Sequence, residues 1–248
     1  MTPTLVPHHP ARDWAEIQER MLVPLYEAVY DRLGVGPRSR VLGLGCGSGL
    51  ALLMACARGA RVTGVDRDRA RVELARERMP EGEGHTVVEG GPPDAGDMAA
   101  GAFDVITAFH GTAELGPDLV AVTRSAQPGA AVVVAGWGPP ERCATASVLR
   151  VAARLTGWSP SRRDDLEEVV ARAGLRPDGS GRVSCPFGYA NPDSAVRGLL
   201  STGDFDAAIH ATDPSQVEKE IREALEPYVR PDGTVWMPNV FRYLIART

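Results

Sequence analysis

Alternating glycines interrupt an apolar run early in this chain, and no other feature limits its fold as strongly. The apolar residues of 41–44 lead into a turn with glycine at 45, 47 and 49, and an apolar period of helical spacing starts at Leu50. Glycine is needed where the backbone takes a positive φ or touches a ligand. The following helix begins with unpaired N–H groups and a partial positive charge. The pattern therefore predicts a strand, a tight turn and a helix that together can bind a ligand.

Asp66 ends the next apolar segment, 62–65, and lies 17 positions after Gly49. A carboxylate at the end of a second strand can accept hydrogen bonds from a ribose diol. The turn and this acid together predict a nucleoside site at the carboxyl edge of a parallel sheet. Two alternatives stay open: the glycines serve only close packing of strand on helix, and Asp66 only caps a helix, a role for which Asp68 is also placed.

The composition fits a soluble globular protein of one large domain, or one domain with a small cap. The chain has 248 residues, 44% of them hydrophobic, and a formal net charge of −5 with acids and bases interspersed. No basic patch suggests nucleic acid, and no basic amphipathic segment suggests a membrane surface. No signal-like start and no apolar run of about 20 residues is visible, so a cytoplasmic location is expected. The cysteines are scattered, so neither a metal site nor a disulfide framework is expected; they are Cys46, Cys56, Cys143 and Cys185.

Strand and helix patterns alternate through the first part of the chain, which predicts a parallel sheet with helices on both faces. A helix is expected over about 11–33, interrupted at Pro24 and ended by Gly34. The expected strands are 40–44, 61–65, 85–89, 103–109 and 130–136, and the expected helices are 49–58, 68–79 and about 113–126.

The pattern changes after Trp137. Two segments, 141–162 and 190–230, have no place in a simple alternating sheet and are expected to cover its ligand edge as a lid. The elements predicted here are helices over about 141–156 and 164–174, a strand at about 175–185, helical pieces over 192–229 broken at Gly203 and Pro214, and a turn with a last strand over 234–246.

The order of these parts resembles class I S-adenosylmethionine-dependent methyltransferases, in particular bacterial small-molecule and secondary-metabolite enzymes. The resemblance covers nearly the whole chain. It rests on the glycine turn, Asp66, the strand Phe103-Asp104-Val105-Ile106, the segment Gln127-Pro128-Gly129-Ala130 and the tail 232–243. The glycine spacing differs from the G-x-G-x-x-G of nicotinamide-dependent dehydrogenases, and a phosphate loop ending in Gly-Lys-Ser/Thr is absent.

The resemblance implies an α/β, Rossmann-like fold: a seven-stranded, mostly parallel sheet with helices on both faces and a helical lid. It divides the chain into an N-terminal arm and helix (1–35), a cofactor-binding half (36–140) and a substrate half (141–248) with the lid insertions. The implied cofactor is S-adenosylmethionine, with S-adenosylhomocysteine as product. The implied cofactor-binding residues are Gly45, Cys46, Gly47, Gly49, Asp66, Asp94 and Phe109, with the backbone N–H of Cys46 facing the ligand.

Two positions depart from the family pattern. The family commonly has an acidic residue two positions before the first glycine of the turn, where it helps to hold the cofactor's ammonium group; this chain has Gly43. After the third strand the family usually has Gly-Asp, whose carboxylate accepts from the adenine amino group; this chain has Gly91-Pro92, and Asp94 or Asp97 is the candidate replacement.

Candidate residues for chemistry lie at strand ends and on the covering helices. His110 follows the fourth strand, where it can take a proton from the acceptor or only bind a loop carbonyl. Phe109 can pack on a purine or fill the core. The candidate substrate-binding residues are Trp14, Tyr26, Trp137 and His210, with core or structural roles as the alternatives.

Three hypotheses for function follow. The first is methyl transfer to a small molecule, and the oligomeric state, a homodimer included, is left open. The second is a methyltransferase fold that has lost methyl transfer and catalyses a cyclisation or rearrangement, which the departures at Gly43 and Pro92 favour. The third is a partner-stabilising subunit with a vestigial site.

Overall fold

A seven-stranded sheet forms the centre of the molecule. The computed structural model describes residues 9–80, 84–91, 94, 101–110, 116–156 and 165–248. The strands are β1 (Arg40–Leu44), β2 (Arg61–Asp66), β3 (His85–Glu89), β4 (Phe103–Ala108), β5 (Ala126–Trp137), β6 (Arg176–Ser184), β7 (Phe187–Tyr189), β8 (Val235–Met237) and β9 (Val240–Arg247). The sheet order is β3-β2-β1-β4-β5-β9-β6, with β9 antiparallel to its neighbours, and β7 pairs with β8 in a separate two-stranded sheet. This confirms the predicted fold class; the two-stranded sheet was not predicted.

Helices cover both faces of the sheet. Their bounds are α1 (Pro10–Asp13), α2 (Val23–Leu33), α3 (Leu50–Ala57), α4 (Arg69–Arg78), α5 (Gly116–Val122), α6 (Thr145–Thr156), α7 (Asp165–Arg172), α8 (Pro192–Leu200), α9 (Asp206–Ala211) and α10 (Pro214–Leu225). Each lies within or close to a segment in which the periodicity predicts a helix. None of the helices in the described ranges is long and apolar enough to span a membrane.

The alternation of side chains along the strands divides the core into two clusters. Val41 and Leu42 are adjacent in β1 and both are fully buried, yet they belong to opposite clusters because successive side chains point to opposite faces. The larger cluster lies under α2, α3 and the C-terminal helices, and the smaller one lies under α5 and α7.

The N-terminal helical segment, 10–33, is continuous but irregular. A π-helix, Trp14–Gln18, and a 3-10 helix, Glu19–Leu22, separate α1 from α2. Pro24 lies in the first turn of α2, because a residue without an N–H can begin a helix but not continue one. Gly34 ends α2 at φ 62°. The interruption predicted at Pro24 is therefore confirmed, and the irregular part brings Trp14 and Glu19 against the glycine turn.

The helices after β7 pack on this N-terminal segment. Arg197 of α8 forms an ion pair with the buried Asp13. The hydroxyl of Tyr189 donates to the side-chain oxygen of Gln18 over 2.8 Å. A Cβ on Gly198 would lie 2.9 Å from Ile17, so the two helices are in close contact. The predicted helical pieces of 190–230 therefore lie against the segment that reaches the glycine turn. The division of the chain into 1–35, 36–140 and 141–248 stays a prediction.

Candidate functional site

The glycine turn connects the end of β1 to the start of α3. Gly45, Gly47 and Gly49 have φ values of 58°, 57° and 86°, in the left-handed region that favours glycine. The spacing of these glycines in the sequence therefore reflects the positive φ values that the turn requires. The backbone N–H of Cys46 donates to the carbonyl oxygen of Val65 over 3.1 Å. The expectation that this N–H faces a ligand is therefore not met, because the hydrogen bond to β2 already uses it.

Asp66 lies directly against the turn. Its Oδ2 accepts from the backbone N–H of Gly47 over 2.8 Å, and its Oδ1 accepts from the N–H of Asp68 over 2.9 Å. The N-cap of α4 is Asp68, whose side chain accepts from the N–H of Arg71. Asp68, and not Asp66, is therefore the residue that caps α4. Each carboxylate oxygen can accept more than one hydrogen bond, so Asp66 keeps acceptor capacity for a hydroxyl pair.

His110 lies at the end of β4 among aromatic residues of the N-terminal segment. Its Nε2 lies 2.9 Å from the hydroxyl oxygen of Tyr26. Trp14 meets the imidazole edge-on, with ring centroids 4.8 Å apart, and Phe109 packs against Tyr26 at the same centroid distance. These four rings form one wall beside the turn. The structure therefore brings Trp14, Tyr26, Phe109 and His110 together.

The surroundings of His110 keep its ring neutral. Burial, and to a smaller extent the positive charge of Arg71, lower the pKa of His110 to about 3. Burial also raises the pKa of Tyr26 well above its ordinary value, so the partner is a neutral phenol. A neutral imidazole bound to a phenol is a weak base. The role of His110 as a proton acceptor stays a prediction, and its described partner is Tyr26 rather than a loop carbonyl.

Trp14 lies over the turn itself. A Cβ on Gly47 would lie 2.7 Å from the indole Nε1, a distance that only glycine accommodates. On the other side, the guanidinium carbon of Arg71 lies 4.6 Å from the centre of the indole ring. The indole is 4% exposed. Trp14 is therefore held between a cation and the main chain of the turn.

Glu19 is a buried carboxylate at the turn that sequence reasoning missed. It accepts from the hydroxyl of Ser48 over 2.5 Å and from the N–H of Leu50 over 3.3 Å, and it pairs with Arg78 at 3.2 Å. Burial raises its pKa, while Ser48, Leu50, Arg78 and Trp14 each lower it by less. In a regular helix Glu19 does not share the apolar face of the segment. The preceding π-helix has more residues per turn, and this rotates Glu19 toward the glycine turn. No pattern in the sequence indicates the π-helix.

The space at the end of β1 explains the departure at Gly43. A Cβ on Gly43 would lie 2.9 Å from Cδ2 of Leu52, so an acidic side chain at this position requires the Leu52 side chain to move. A cavity of about 10 Å³ lies beside it, large enough for a single water molecule. Gly43, Cys46, Leu52, Thr107 and His110 are among the residues that line it.

The remaining candidates have partners elsewhere. The carboxylate of Asp94 accepts from the N–H of Gly91 over 2.6 Å, within its own loop. Trp137 is 37% exposed and packs on Phe241 with ring centroids 4.5 Å apart. His210 is exposed on α9 and its Nδ1 bonds the carbonyl of Asp206, four residues earlier. Pro92 and Asp97 lie outside the described residues, which contain no group of three His, Cys, Asp or Glu side chains placed to hold a metal ion.

Comparison with known proteins agrees with this geometry. Residues 41–128 match the methyltransferase domain family. No curated protein matches the sequence. The solved structures described next share the fold at low sequence identity. YcgJ from Bacillus subtilis has a TM-score of 0.58 and 16% identity, covering 90% of this chain and 97% of that one.

Two further structures are similar over most of this chain. The geranyl diphosphate C-methyltransferase from Streptomyces coelicolor A3(2), solved with Mg²⁺, geranyl diphosphate and S-adenosyl-L-homocysteine, has a TM-score of 0.56 and 17% identity, over 92% of this chain and 80% of that one. The [4+2]-cyclase SpnF has a TM-score of 0.56 and 18% identity, covering 90% of this chain and 79% of that one.

The matched region contains the glycine turn, Asp66 and His110. Residues 41–128 therefore match the methyltransferase domain family, and the chain as a whole has the fold of the methyltransferase structures to which it is similar.

Proposed function

We propose that this protein binds S-adenosylmethionine at the glycine turn and transfers its methyl group to a small-molecule acceptor. The observation that carries the proposal is the 2.8 Å hydrogen bond between the N–H of Gly47 and the carboxylate of Asp66. It fixes an acid beside a main-chain turn at the carboxyl edge of a parallel sheet, the place where such sheets bind nucleotides.

The residues present fit the adenosyl part of this cofactor. Asp66 has acceptor capacity for the two ribose hydroxyls, and the positive-φ glycines at 45 and 47 let a ligand approach the main chain. Phe109 and Asp94 remain candidates for the adenine end. When bound, the cofactor supplies an electrophilic methyl group on a positively charged sulfur, whose leaving group is a neutral thioether.

The contribution of the protein is then alignment and exclusion of water. Trp14 and Tyr26 close one side of the turn, and α8 holds the segment that carries them. His110 and Tyr26 share a proton between Nε2 and the phenolic oxygen, which places a hydrogen-bonding pair beside the turn. The proton that an acceptor loses on methylation would pass to Nε2 of His110, at the position where the hydroxyl of Tyr26 otherwise donates. Trp137 and His210 are proposed to contact the more distant part of the acceptor.

The net charge and the names of the neighbours support a small-molecule acceptor. The net charge of −5 argues against a nucleic-acid substrate. The geranyl diphosphate methyltransferase and SpnF both act in small-molecule chemistry by their names. A secondary-metabolite acceptor and a cytoplasmic location are part of this proposal.

A second candidate function is cyclisation without methyl transfer. Two observations favour it: an acid at Gly43 would require the Leu52 side chain to move, and SpnF shares the fold. Turnover of a biosynthetic intermediate without added S-adenosylmethionine, and without the mass gain of a methyl group, would identify this activity.

Calorimetry with S-adenosylhomocysteine tests the proposal. We expect the wild-type protein to bind it and Asp66→Asn to bind it at least about tenfold more weakly, because one charged acceptor for the ribose is lost. Asp178→Asn is the matched control, since Asp178 lies on β6 and pairs only with Arg247 among its described contacts. Absence of binding by the wild-type protein at millimolar concentration would refute a cofactor site.

A further inference from the structure

Two donors in the buried part of the molecule lack an acceptor, and they belong to side chains stacked on each other. In the described residues, the buried side-chain nitrogens without a hydrogen-bond partner are Nε1 of Trp14 and Nε of Arg71. The guanidinium of Arg71 lies 4.6 Å above the indole ring. A buried N–H without an acceptor is costly and rare in folded proteins. Both groups can only donate, and one of them is a cation.

The groups around these donors do not supply the missing acceptor. Asp68 is the nearest acid to Arg71, at 3.4 Å from Nε, but the geometry makes no hydrogen bond. The Nη2 of Arg71 already donates to the carbonyl of Ser201 over 2.6 Å. A side-chain hydrogen bond from Trp14 is among the contacts that lower the pKa of Glu19, but its geometry is too poor to satisfy Nε1. The oxygens of Glu19 already receive the hydroxyl of Ser48, the N–H of Leu50 and the guanidinium of Arg78.

Trp14 and Arg71 lie at the glycine turn, which is the candidate ligand site. The indole Nε1 lies where a Cβ on Gly47 would touch it, and Asp66 accepts from the N–H of that same glycine. Arg71 lies in the first turn of α4, five residues after Asp66. A ligand held on the glycine turn therefore meets these two donors.

We infer that Trp14 and Arg71 form an oxyanion-binding corner of the ligand site, which takes a carboxylate or phosphate group. An oxyanion has several acceptor lone pairs and can receive the indole N–H and a charge-assisted bond from the guanidinium together. The inference deepens the proposed function, because it assigns the anionic part of the ligand. The group comes either from the amino-acid carboxylate of the cofactor or from an acid on the acceptor molecule.

Separate ligands distinguish these two sources. S-adenosylhomocysteine carries the amino-acid carboxylate, whereas 5′-methylthioadenosine carries the nucleoside without it. Inorganic pyrophosphate probes an acceptor anion without any nucleoside. Calorimetry with each of the three is to be run on the wild-type protein, Arg71→Met, Arg71→Lys and Trp14→Phe, which keeps the ring but removes the donor.

Arg69→Met is the matched control. It removes the same charge from the same helix, but Arg69 is 76% exposed and pairs with Glu73 on the surface. Thermal unfolding of each variant reports whether the contact of Arg71 with Ser201 matters for folding. Arg71→Lys keeps a cation at the position if Arg71→Met does not fold.

A cofactor source predicts that Arg71→Met and Trp14→Phe bind S-adenosylhomocysteine at least about tenfold and about threefold more weakly, with methylthioadenosine unchanged. An acceptor source predicts unchanged binding of both nucleosides and loss of pyrophosphate binding. Two outcomes would overturn the inference. If both nucleosides bind equally more weakly, the side chains only stabilise the structure of the site. If no variant changes the binding of any ligand, the side chains do not contact a ligand. If the wild-type protein binds neither nucleoside, the proposed function fails, and the pyrophosphate arm still decides this inference.

Discussion

The phenolic oxygen of Tyr26 and Nε2 of His110 lie 2.9 Å apart, although 84 residues separate them in the chain. One belongs to a helix that covers the site and the other to the end of a central strand. Each is the described polar partner of the other in a largely apolar surrounding. The pair therefore couples the position of the covering helix to the state of the imidazole.

Removal of the Tyr26 hydroxyl should destabilise the fold. We expect Tyr26→Phe to lower the free energy of unfolding by about 1–3 kcal/mol, because Nε2 of His110 loses its partner in a buried position. Urea unfolding measures this loss. Tyr228→Phe is the control, since that hydroxyl bonds Ser147 in a more exposed place and should cost less. Equal losses in the two variants would contradict the assignment.

Acid should destabilise the protein partly through His110. Its pKa is about 3 in the folded state and ordinarily 6.5, so the unfolded chain binds more protons between these values. The stability associated with the neutral ring is fully present above about pH 6.5 and is lost as the pH falls toward 3. Unfolding free energies of wild type and His110→Asn between pH 7 and 4 should converge as the pH falls. Parallel curves, or an imidazole that titrates near 6.5 by nuclear magnetic resonance, would show that the ring is not held neutral.

The close approach of Trp14 makes Gly47 sensitive to a single added methyl group. We expect Gly47→Ala to weaken S-adenosylhomocysteine binding at least about tenfold, because the new Cβ meets the indole Nε1 at 2.7 Å and displaces the turn. Gly101→Ala is a matched control: Gly101 also has a positive φ, 69°, but its Cβ would meet no atom within 4 Å. Similar affinities for the two variants would show that the strained φ alone, and not the contact with Trp14, matters.

Glu19 should make stability depend on pH in the opposite direction from His110. Burial raises its folded pKa above 4.5, so the folded state holds a proton that the unfolded chain has released. This contribution is present below about pH 4.5 and is lost as the pH rises through the folded value. The stability of wild type relative to Glu19→Gln should fall over that range in urea unfolding. A difference that stays constant from pH 4.5 to 7 would indicate that Arg78 and Ser48 fully offset the burial of the carboxylate.

The parts of the fold that could be predicted are those encoded by local spacing. The strand at 40–44 and the turn at Gly45 are readable because an apolar run ends in glycines whose positive φ no other residue adopts readily. Asp66 is readable for the same reason, because it ends the adjacent strand. The strands β7 and β8 were not predicted, since three residues each are too few to show a period.

The parts of the site that could not be predicted depend on contacts between distant segments. Glu19 reaches the turn because a π-helix precedes it, and the sequence gives no sign of that irregularity. The stacking of Arg71 on Trp14 joins positions 57 residues apart on different elements. No spacing rule relates such positions, so only the folded chain shows that two donors lack an acceptor there.

The ion pair between Asp13 and Arg197 spans 184 positions, which constrains when the site can form during synthesis. The segment around Asp13 leaves the ribosome long before helix α8, against which it packs. Until that part of the chain emerges, the N-terminal segment lacks the contact of Asp13 with Arg197 and that of Gln18 with Tyr189. The five parallel strands β1 to β5 are thus made before these contacts can form, and a truncation near residue 190, which also removes β9 from the sheet, should yield a protein that binds a nucleoside more weakly than the whole chain.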